Sequence, residues 1–421
     1  MVFFKKYGIL SSTRLFRPDT RRRKERGAFL VDHSFDVLIA GAGYAGAVTA
    51  RVLAEAGKRV LVVERRSHIG GNAYDCPDGA GVLIHQYGPH IFHTNDKRAF
   101  DFLSRFTGWR DYQHRVIANI PDEKTGGRMT YPVPFNLTSL ETAFWPKEGK
   151  RLGDKLIAAY GAEKKVTILE LRQNADPEIA ALADYVYEHV FVHYTMKQWG
   201  QKPEEIDPNT TARVPVFLSR DDRYFQDTYQ GMPLEGYTVL FERMLDHPGI
   251  EVRLGADALA SLKVEGGRIT FEGEDFGGTV IYTGQADELF SFRFGPLPYR
   301  TLDFRFETLS QDDFQGYGTV NYTVDEDFTR ITEFKHLTGQ TLEGVTTIVK
   351  EYSRAYTGAP GETPYYAIIN DENNALYGRY RALSDAIPNL HLLGRLAEYK
   401  YYNMDAIVDR ALSLSDELLA H

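Results

Sequence analysis

The alternation of apolar and polar positions predicts an α/β unit that begins near residue 35. Residues 35–40 form a nearly continuous apolar run, which is typical of a buried parallel strand. A helical pattern follows over residues 47–56, and a second apolar run over residues 58–63 ends at Glu64. The pattern therefore predicts a strand–helix–strand unit, the building block of a parallel sheet.

Further along the chain, the periodicity predicts a helical region and then a series of strands. Residues 96–107 and most of 150–200 have helical spacing, and Asp176-Pro177-Glu178 is a typical helix start. Residues 116–133 are predicted as strands around a glycine turn. Later strands are predicted at 252–254, 268–272, 279–282, 301–306, 318–322, 330–334, 346–352 and 390–394, and helices at 374–385 and 405–420.

A glycine motif occupies the first predicted turn. Gly41-Ala42-Gly43-Tyr44-Ala45-Gly46 has G-x-G-x-x-G spacing between a strand and a helix. Gly41 permits the tight turn, Gly43 lets the backbone approach a pyrophosphate, and Gly46 lets the helix pack on the strand. The pyrophosphate would lie at the helix N-terminus, and Glu64 would bind a ribose hydroxyl. A glycine turn in an unrelated α/β unit would leave Glu64 unexplained.

A second glycine pair follows the acidic residue. Arg65-Arg66-Ser67-His68-Ile69-Gly70-Gly71-Asn72-Ala73 is typical of flavoproteins with a dinucleotide-binding fold, and it favours FAD over NAD. Paired glycines let backbone amides approach the cofactor, and the arginines add positive charge nearby. A simple turn is the alternative interpretation.

Composition and charge narrow the class of protein. Cys76 is the one cysteine among 421 residues, so an internal disulfide is excluded and cytoplasmic residence is expected. No apolar run approaches the length of a membrane span. The net charge is −9, although residues 1–33 carry nine Lys/Arg against three Asp/Glu. We interpret this segment as a disordered basic tail; a targeting segment and a misassigned start are alternatives. The acidic remainder argues against nucleic-acid binding.

Tyrosines and arginines recur in segments where the apolar positions do not follow a clear helix or strand spacing. Aromatic rings can stack on a nucleobase, arginines can clamp a diphosphate, and tyrosine hydroxyls can bind phosphate or sugar oxygens. Taken singly, each tyrosine also fits the core or surface, and each arginine an exposed ion pair. The candidates are Tyr194-Thr195-Met196-Lys197-Gln198-Trp199-Gly200, Arg213-Val214-Pro215, Tyr224-Phe225, Arg330, Tyr365-Tyr366 and Tyr401-Tyr402-Asn403-Met404.

Several motifs follow one another in a definite order between residue 35 and about residue 415. They are Gly70-Gly71-Asn72-Ala73-Tyr74, Tyr87-Gly88-Pro89-His90-Ile91-Phe92-His93-Thr94, Tyr194 to Gly200, Arg213-Val214-Pro215, Tyr282-Thr283-Gly284, Phe334-Lys335-His336, and Gly394-Arg395-Leu396-Ala397-Glu398-Tyr399-Lys400-Tyr401-Tyr402-Asn403-Met404. No single motif is decisive. Their order and spacing together resemble the prokaryotic UDP-galactopyranose mutase family.

The resemblance implies an α/β fold with a Rossmann-like FAD-binding domain, an inserted helical domain and an antiparallel β-sheet domain. It implies an isomerase that interconverts UDP-α-D-galactopyranose and UDP-α-D-galactofuranose with reduced FAD. In the implied mechanism the anomeric carbon is attacked by flavin N5, UDP departs, and the sugar ring opens and recloses from an iminium adduct. A homodimer and an unidentified flavin reductant are implied as partners, and no metal is expected.

The resemblance also assigns roles to single residues. Arg213 and Arg330 match two arginines that bind the diphosphate, with Arg213 on a mobile loop over residues 203–224. His90 matches a catalytic histidine beside the flavin, and a purely structural histidine is the alternative. Substrate-binding residues match at Tyr194, Thr195, Trp199, Tyr224, Tyr366, Tyr401 and Asn403. Cofactor-binding candidates are Gly41, Gly43, Ala45, Gly46, Glu64, Arg65, Gly70, Gly71, Asn72, His90, Gly394, Arg395, Tyr402, Asn403 and Met404.

The sequence departs from the family pattern at two positions, and it leaves two alternative functions open. His193 stands where a glycine is common, and Ala367 stands where a proline is usual. An FAD-dependent amine or porphyrinogen-type oxidase would share the N-terminal motif but would consume oxygen. A non-catalytic UDP-sugar-binding flavoprotein would bind UDP without turnover.

The expected domains are discontinuous in sequence. The FAD-binding domain is expected over 34–95, about 225–255 and 365–421. The helical domain is expected over about 96–115 and 145–224. The antiparallel β-sheet domain is expected over about 116–144 and 256–364.

Overall fold

The computed structural model describes residues 35–122, 125–200 and 215–420. These residues belong to one compact unit that begins at Phe35. The predicted basic tail, Arg213 and most of the predicted loop 203–224 lie outside the described residues, as does the side chain of Trp199. None of the helices in the described ranges is long and apolar enough to cross a membrane.

A five-stranded parallel sheet forms the centre of the nucleotide-binding part. Each strand pairs in parallel with its neighbour, and the first strand is buried along its whole length. The alternation of strand and helix thus folds as predicted, and the α/β fold class is confirmed. In order across the sheet the strands are Ile250–Leu254, Val60–Glu64, Val37–Ala40, Thr279–Tyr282 and Leu390–Leu392.

The strand Thr279–Tyr282 corrects one predicted domain boundary. The sequence assigned this strand to the antiparallel domain, whereas Val37 and Thr279 are parallel partners at the centre of the sheet. Similarly, Tyr366–Ala367 lies in the second sheet and not in the FAD-binding part. Apolar periodicity identifies a strand but carries no information about its partner. The other boundaries remain a prediction.

The first helix, Tyr44–Glu55, begins directly after the glycine turn. Gly41 has a φ of +113°, which only glycine adopts readily. Gly46 lies where the helix touches the turn, and a Cβ built there would be 1.9 Å from the carbonyl oxygen of Gly41. The glycine spacing is therefore required for the helix to pack against the turn.

Gly46→Ala is expected to displace this helix, because the obstructing atom is backbone and cannot rotate away. We expect the free energy of unfolding to fall by about 1–3 kcal/mol and the FAD content of the purified protein to fall with it. Urea unfolding and flavin absorbance measure the two effects. Gly79→Ala is the matched control, since a Cβ there has nothing within 4 Å. Equal stability of the two variants would contradict the packing argument.

A second, seven-stranded sheet stands beside the cofactor-binding part. Its neighbours are antiparallel, apart from Thr319–Tyr322 and Val116–Asp122, which pair in parallel. The predicted antiparallel sheet is therefore mixed at that one pair. In order the strands are Tyr366–Ala367, Tyr299–Leu309, Thr346–Ala355, Arg330–Glu333, Thr319–Tyr322, Val116–Asp122 and Gly127–Val133.

The helical region shares one apolar core with the strands Val116–Asp122 and Gly127–Val133. Asn136, Thr167 and Asp176 cap three of its helices by accepting backbone amide hydrogen bonds. Residues Tyr187–Val192 form a π-helical turn, which continues directly into the next helix. The helices are Leu137–Ala143, Pro146–Tyr160, Ile168–Arg172, Pro177–Val186 and His193–Trp199.

The other elements of the described residues complete these parts. The remaining helices are Gly71–Ala73 (3₁₀), Lys97–Leu103, Tyr237–Leu245, Ala258–Ser261, Ala286–Leu289, Phe334–Thr338, Asp371–Asp385 and Met404–Leu419. The remaining strands are Asp75–Pro77, Leu83–His85, Phe92–Thr94, Trp109–Arg110, Lys165–Val166, Val216–Phe217, Tyr229–Pro233, Leu262–Glu265, Arg268–Phe271 and Glu274–Asp275.

Candidate active site

A cavity of about 760 Å³ lies at the carboxyl ends of the parallel strands. Ala40, Glu64 and Tyr282 line it at or next to the ends of three strands, which is where doubly wound sheets bind their ligands. All but one of the predicted cofactor-binding residues line this cavity; the exception is Gly46, which packs behind the turn. Those in the lining are Gly41, Gly43, Ala45, Glu64, Arg65, Gly70, Gly71, Asn72, His90, Gly394, Arg395, Tyr402, Asn403 and Met404.

Two helix N-termini converge on the cavity. Gly43 precedes the helix Tyr44–Glu55, and Asn403 precedes the C-terminal helix Met404–Leu419; neither residue caps its helix through a side chain. Both residues line the cavity. Because a helix N-terminus presents unpaired amide hydrogens and partial positive charge, this end of the cavity suits an anionic group such as a pyrophosphate.

The acidic residue at the end of the second strand is held by the backbone. Glu64 is 7% exposed and accepts the amide hydrogens of Ala42 at 2.8 Å and Arg66 at 2.9 Å. These bonds fix the carboxylate beside the glycine turn, as expected for a ribose-binding acid. Arg65 instead donates to Glu288 at 3.0 Å, so its charge is already paired at the cavity wall.

Arg66, which the sequence did not single out, is the more available cation. Its Nη2 donates to Asn72 at 2.9 Å, and its guanidinium stacks 4.1 Å from the centre of the Tyr87 ring. Its Nη1 is buried and has no hydrogen-bond partner among the described residues. The buried hydroxyls of Tyr282 and Tyr365, also in the lining, are equally unpartnered within the described part.

The cavity therefore fits an elongated polar group such as a flavin dinucleotide. Its size, the paired helix N-termini and the unpartnered polar atoms each call for a ligand with phosphate and hydroxyl groups. A Cβ built on Gly71 would be 2.9 Å from the Cα of Gly43, so the two glycine motifs touch at the base of the cradle.

His90 faces the same cavity in a defined protonation state. Its Nδ1 lies 2.8 Å from the carbonyl oxygen of Gly88, so this nitrogen carries the hydrogen and donates it. Burial, with smaller contributions from His85 and the nearby arginines, lowers the pKa of His90 to about 3. His90 is thus neutral near pH 7, and its Nε2 is left as a hydrogen-bond acceptor.

Arg330, the second predicted catalytic residue, is held by a buried carboxylate. Its Nε donates to Oε1 of Glu351 at 2.7 Å, and Glu351 is only 1% exposed. Burial opposes the charge on Arg330, but the Glu351 carboxylate outweighs this effect and raises the pKa of the guanidinium. Because Glu351 contacts Nε, the guanidinium remains charged and fixed in orientation.

Several predicted tyrosines surround Arg330. The Tyr366 and Tyr401 rings stack with centroids 6.0 Å apart, and Arg395 lies 4.6 Å from the Tyr401 ring. Burial raises the pKa of Tyr366 to about 12 and also raises that of Tyr194, while the charge of Arg330 acts on both hydroxyls. Arg395 lines the cofactor cavity as well, so it connects the two regions.

The structure therefore brings most of the predicted substrate residues together. Tyr224 lies within electrostatic reach of Tyr194, and Thr195 is buried on the same helix. Asn403 lies in the cofactor cavity. Arg213 and the Trp199 side chain fall outside the described part, so their predicted roles are not tested.

Comparison with known proteins agrees with this geometry. A family model described as "UDP-galactopyranose mutase" matches residues 189–401, and one described as "NAD(P)-binding Rossmann-like domain" matches residues 39–106. A UDP-galactopyranose mutase of Mycoplasma pneumoniae is 37% identical over 392 residues, which is 92% of this chain and 97% of the relative. The chain belongs to the UDP-galactopyranose mutase family. The sequence-based expectations of this family, of a mutase-type isomerase and of FAD as cofactor are thereby confirmed.

Two further comparisons concern the substrate and the fold of such mutases. A dTDP-fucopyranose mutase of Escherichia coli is 34% identical over 89% of this chain and 96% of its own length. Sequence similarity at this level is thus shared by mutases named for different nucleotides and sugars. The crystal structure of a reduced UDP-galactopyranose mutase has the same fold, with a TM-score of 0.68 and 16% identity over 92% of this chain and 94% of that one.

In this member of the mutase family, side chains of the neighbouring sheet donate hydrogen bonds to the C-terminal end of the helix that carries Tyr194. Nε of Arg300 donates to the carbonyl oxygen of Gln198 at 3.3 Å, and Nη2 donates to that of Lys197 at 3.2 Å. Ser353 donates to the same Gln198 oxygen at 2.7 Å. Arg300 is 9% exposed, and its partners in the described ranges are neutral. We call Arg300 and Ser353 the helix anchor.

Sequence reasoning missed several residues of the mutase cavity. Arg66, Tyr87 and Tyr282-Thr283 occur in the quoted motifs but were not chosen as site residues, so closer reading of those motifs would have found them. Residues 356–365 carry no recognisable motif. Glu351 and Arg300 are single charged residues in strands, and nothing in the sequence distinguishes them from surface charges.

Proposed function

We propose that the protein interconverts UDP-α-D-galactopyranose and UDP-α-D-galactofuranose in the region between Arg330 and the cofactor cavity. The observation that carries this proposal is the position of Arg395, which lines the cavity and also stacks on the tyrosines that surround Arg330. A nucleotide-sugar bound at Arg330 would therefore reach the cofactor. Bound reduced FAD supplies a nucleophilic nitrogen for the anomeric carbon.

Arg330 acts on the leaving group. Breaking the anomeric bond transfers negative charge to the diphosphate, and a fixed guanidinium stabilises that charge more in the transition state than in the ground state. Glu351 contacts Nε alone, so the two Nη groups are left to bind phosphate oxygens in a fork. Tyr366 has a raised pKa and keeps its proton near pH 7, so it can donate a hydrogen bond to the same oxygens.

His90 contributes an acceptor and not a proton. Its Nδ1 hydrogen is committed to Gly88, and its low pKa leaves Nε2 unprotonated near pH 7. Nε2 would therefore accept a hydrogen bond from the cofactor or from a sugar hydroxyl. Protons that move during ring opening must then come from other groups at the site.

Turnover of UDP-galactofuranose by the purified protein tests the proposal. Chromatography with and without dithionite should show conversion to UDP-galactopyranose only after flavin reduction. Bound FAD without conversion in either state would contradict the mutase reaction and support the non-catalytic alternative. Steady oxygen consumption with an amine would support an oxidase. A parallel reaction with dTDP-fucofuranose tests the second nucleotide-sugar that the comparisons suggest.

The family resemblance also predicts a homodimer, cytoplasmic residence and a separate reductant for the flavin. These three expectations belong to this proposal. Light scattering of the purified protein tests the first of them.

The helix anchor leads to a prediction for substrate binding. Arg300→Gln removes two charge-assisted bonds from the end of the helix that carries Tyr194. We expect the KM for the UDP-sugar to rise about tenfold, with kcat changed less and the FAD content unchanged, because the anchor side chains donate to Lys197 and Gln198, which do not line the cofactor cavity. Steady-state kinetics measure the effect. Arg305→Gln, an exposed position on the same strand, is the control. A KM equal to that of the control would contradict the anchor.

A further inference from the structure

Residues 356–365 form one wall of the cofactor cavity, although no motif assigns them to it. Nearly every residue from Tyr356 to Tyr365 is in the lining. The segment connects two strands of the seven-stranded sheet, Thr346–Ala355 and Tyr366–Ala367. Its ends are fixed to the intervening strand, since the amides of Tyr356 and Tyr365 donate to the carbonyls of Tyr299 at 3.0 Å and Arg300 at 2.8 Å. We call this segment the strap.

The middle of the strap is exposed and is organised by one carboxylate. Glu362 accepts the amide hydrogen of Thr357 at 2.8 Å, its hydroxyl at 3.0 Å and the amide hydrogen of Ala359 at 3.2 Å. The other carboxylate oxygen pairs with Arg354, and the Glu362 side chain is only 8% exposed. A glutamate at the far end of the strap therefore holds its beginning in place.

The strap extends along the cavity from the side of Arg65 to the side of Arg66. At one end, Tyr356 donates to Gln285 at 3.2 Å and lies within electrostatic reach of Arg65 and Glu288. At the other end, Arg66 acts electrostatically on Tyr365, whose buried hydroxyl has no partner in the described ranges. Glu64 and both glycine motifs line the same cavity. A dinucleotide lying between them would have the strap as its outer wall.

We propose that the strap retains FAD, and that Glu362 is the positioning residue that holds the strap in its binding shape. This inference rests on the proposed FAD site. The strap contains Gly358 and Gly361, both with positive φ and open space around them. Between its fixed ends, the amide of Glu362 donates to the carbonyl of Ala359 at 3.0 Å, and the Glu362 side chain supplies the bonds to Thr357. Loss of the Glu362 hydrogen bonds would free residues 357–361 to move away from the ligand.

The rate of FAD release tests the proposal directly. Holoenzyme is diluted, and the rise in fluorescence of free flavin is followed over time. Glu362→Gln removes the charged acceptor and the ion pair with Arg354, so we expect FAD to dissociate about tenfold faster or more. Thr357→Val removes only one of the hydrogen bonds and should give a smaller increase. Glu307→Gln, an exposed residue paired with Lys350 on the same sheet, is the matched control.

Two measurements separate retention from general destabilisation. The melting temperature of the apoprotein should be similar in Glu362→Gln and Glu307→Gln, because the backbone hydrogen bonds that fix both ends of the strap to the sheet are kept in both variants. FAD release at the wild-type rate in both Glu362→Gln and Thr357→Val would overturn the strap proposal. If Glu362→Gln does not fold, the rate of FAD release from Thr357→Val decides the test by itself. A wild-type protein that binds no FAD at all would instead contradict the proposed function.

Discussion

Arg330→Ala is expected to lower kcat for the isomerisation by about 10²–10³-fold. The side chain is a fixed cation next to tyrosines with raised pKa values, and no other described arginine in that cluster pairs with a buried carboxylate. Arg330→Lys keeps the charge but loses the planar fork, so it should recover only part of the rate. Rapid-quench measurement of a single turnover with dithionite-reduced enzyme isolates the chemical step.

The interpretation of that result needs a surface arginine for comparison. Arg305 lies on the strand Tyr299–Leu309 and stacks on Tyr352, away from the cofactor cavity. Arg305→Ala should leave the single-turnover rate unchanged. If Arg330→Ala raised KM alone and kept the single-turnover rate, Arg330 would bind substrate without stabilising the leaving group.

Glu351→Gln is expected to lower the free energy of unfolding by about 3–5 kcal/mol, because it leaves the partly buried guanidinium of Arg330 without its counter-charge. Glu351 is 1% exposed and Arg330 is 27% exposed, so water cannot fully replace the lost carboxylate. Urea unfolding of the variant and of wild-type protein measures the difference. Glutamine preserves the side-chain volume, so a cavity does not contribute to the loss.

The same variant provides a test of where the diphosphate binds. UDP bound at Arg330 would return a negative charge to the unpaired guanidinium. UDP should therefore raise the melting temperature of Glu351→Gln more than that of wild-type protein. An equal or smaller shift would place the diphosphate away from Arg330 and would contradict the proposed role of this residue.

The cofactor-binding residues could be predicted from the sequence because they depend on local backbone constraints, which particular residue types indicate. Gly41 and Gly71 have positive φ, and a Cβ built on either would collide with a neighbouring segment, so these positions disfavour any other residue. The strand ends follow from apolar runs that stop at polar residues. Helix starts such as Asp176 were predictable because the capping side chain is adjacent in sequence.

Long-range partners could not be predicted in the same way. Nothing local to Thr279–Tyr282 shows that it pairs with the first strand, which precedes it by about 240 residues. Glu351 and Arg330 are neighbours only because two antiparallel strands place them opposite each other. The π-helical turn Tyr187–Val192 and the strap depend on tertiary contacts that propensity and periodicity do not describe.

The order of strands in the parallel sheet also governs when the cofactor can enter during synthesis. The edge strand Leu390–Leu392, together with Gly394, Arg395 and the start of the C-terminal helix, contributes one side of the cavity. These residues are synthesised more than 300 positions after the glycine turn. A nascent chain can therefore form the first strand–helix–strand unit early but has no complete cradle. We therefore expect FAD to bind only after the start of the C-terminal helix has been made, and not to the first unit alone.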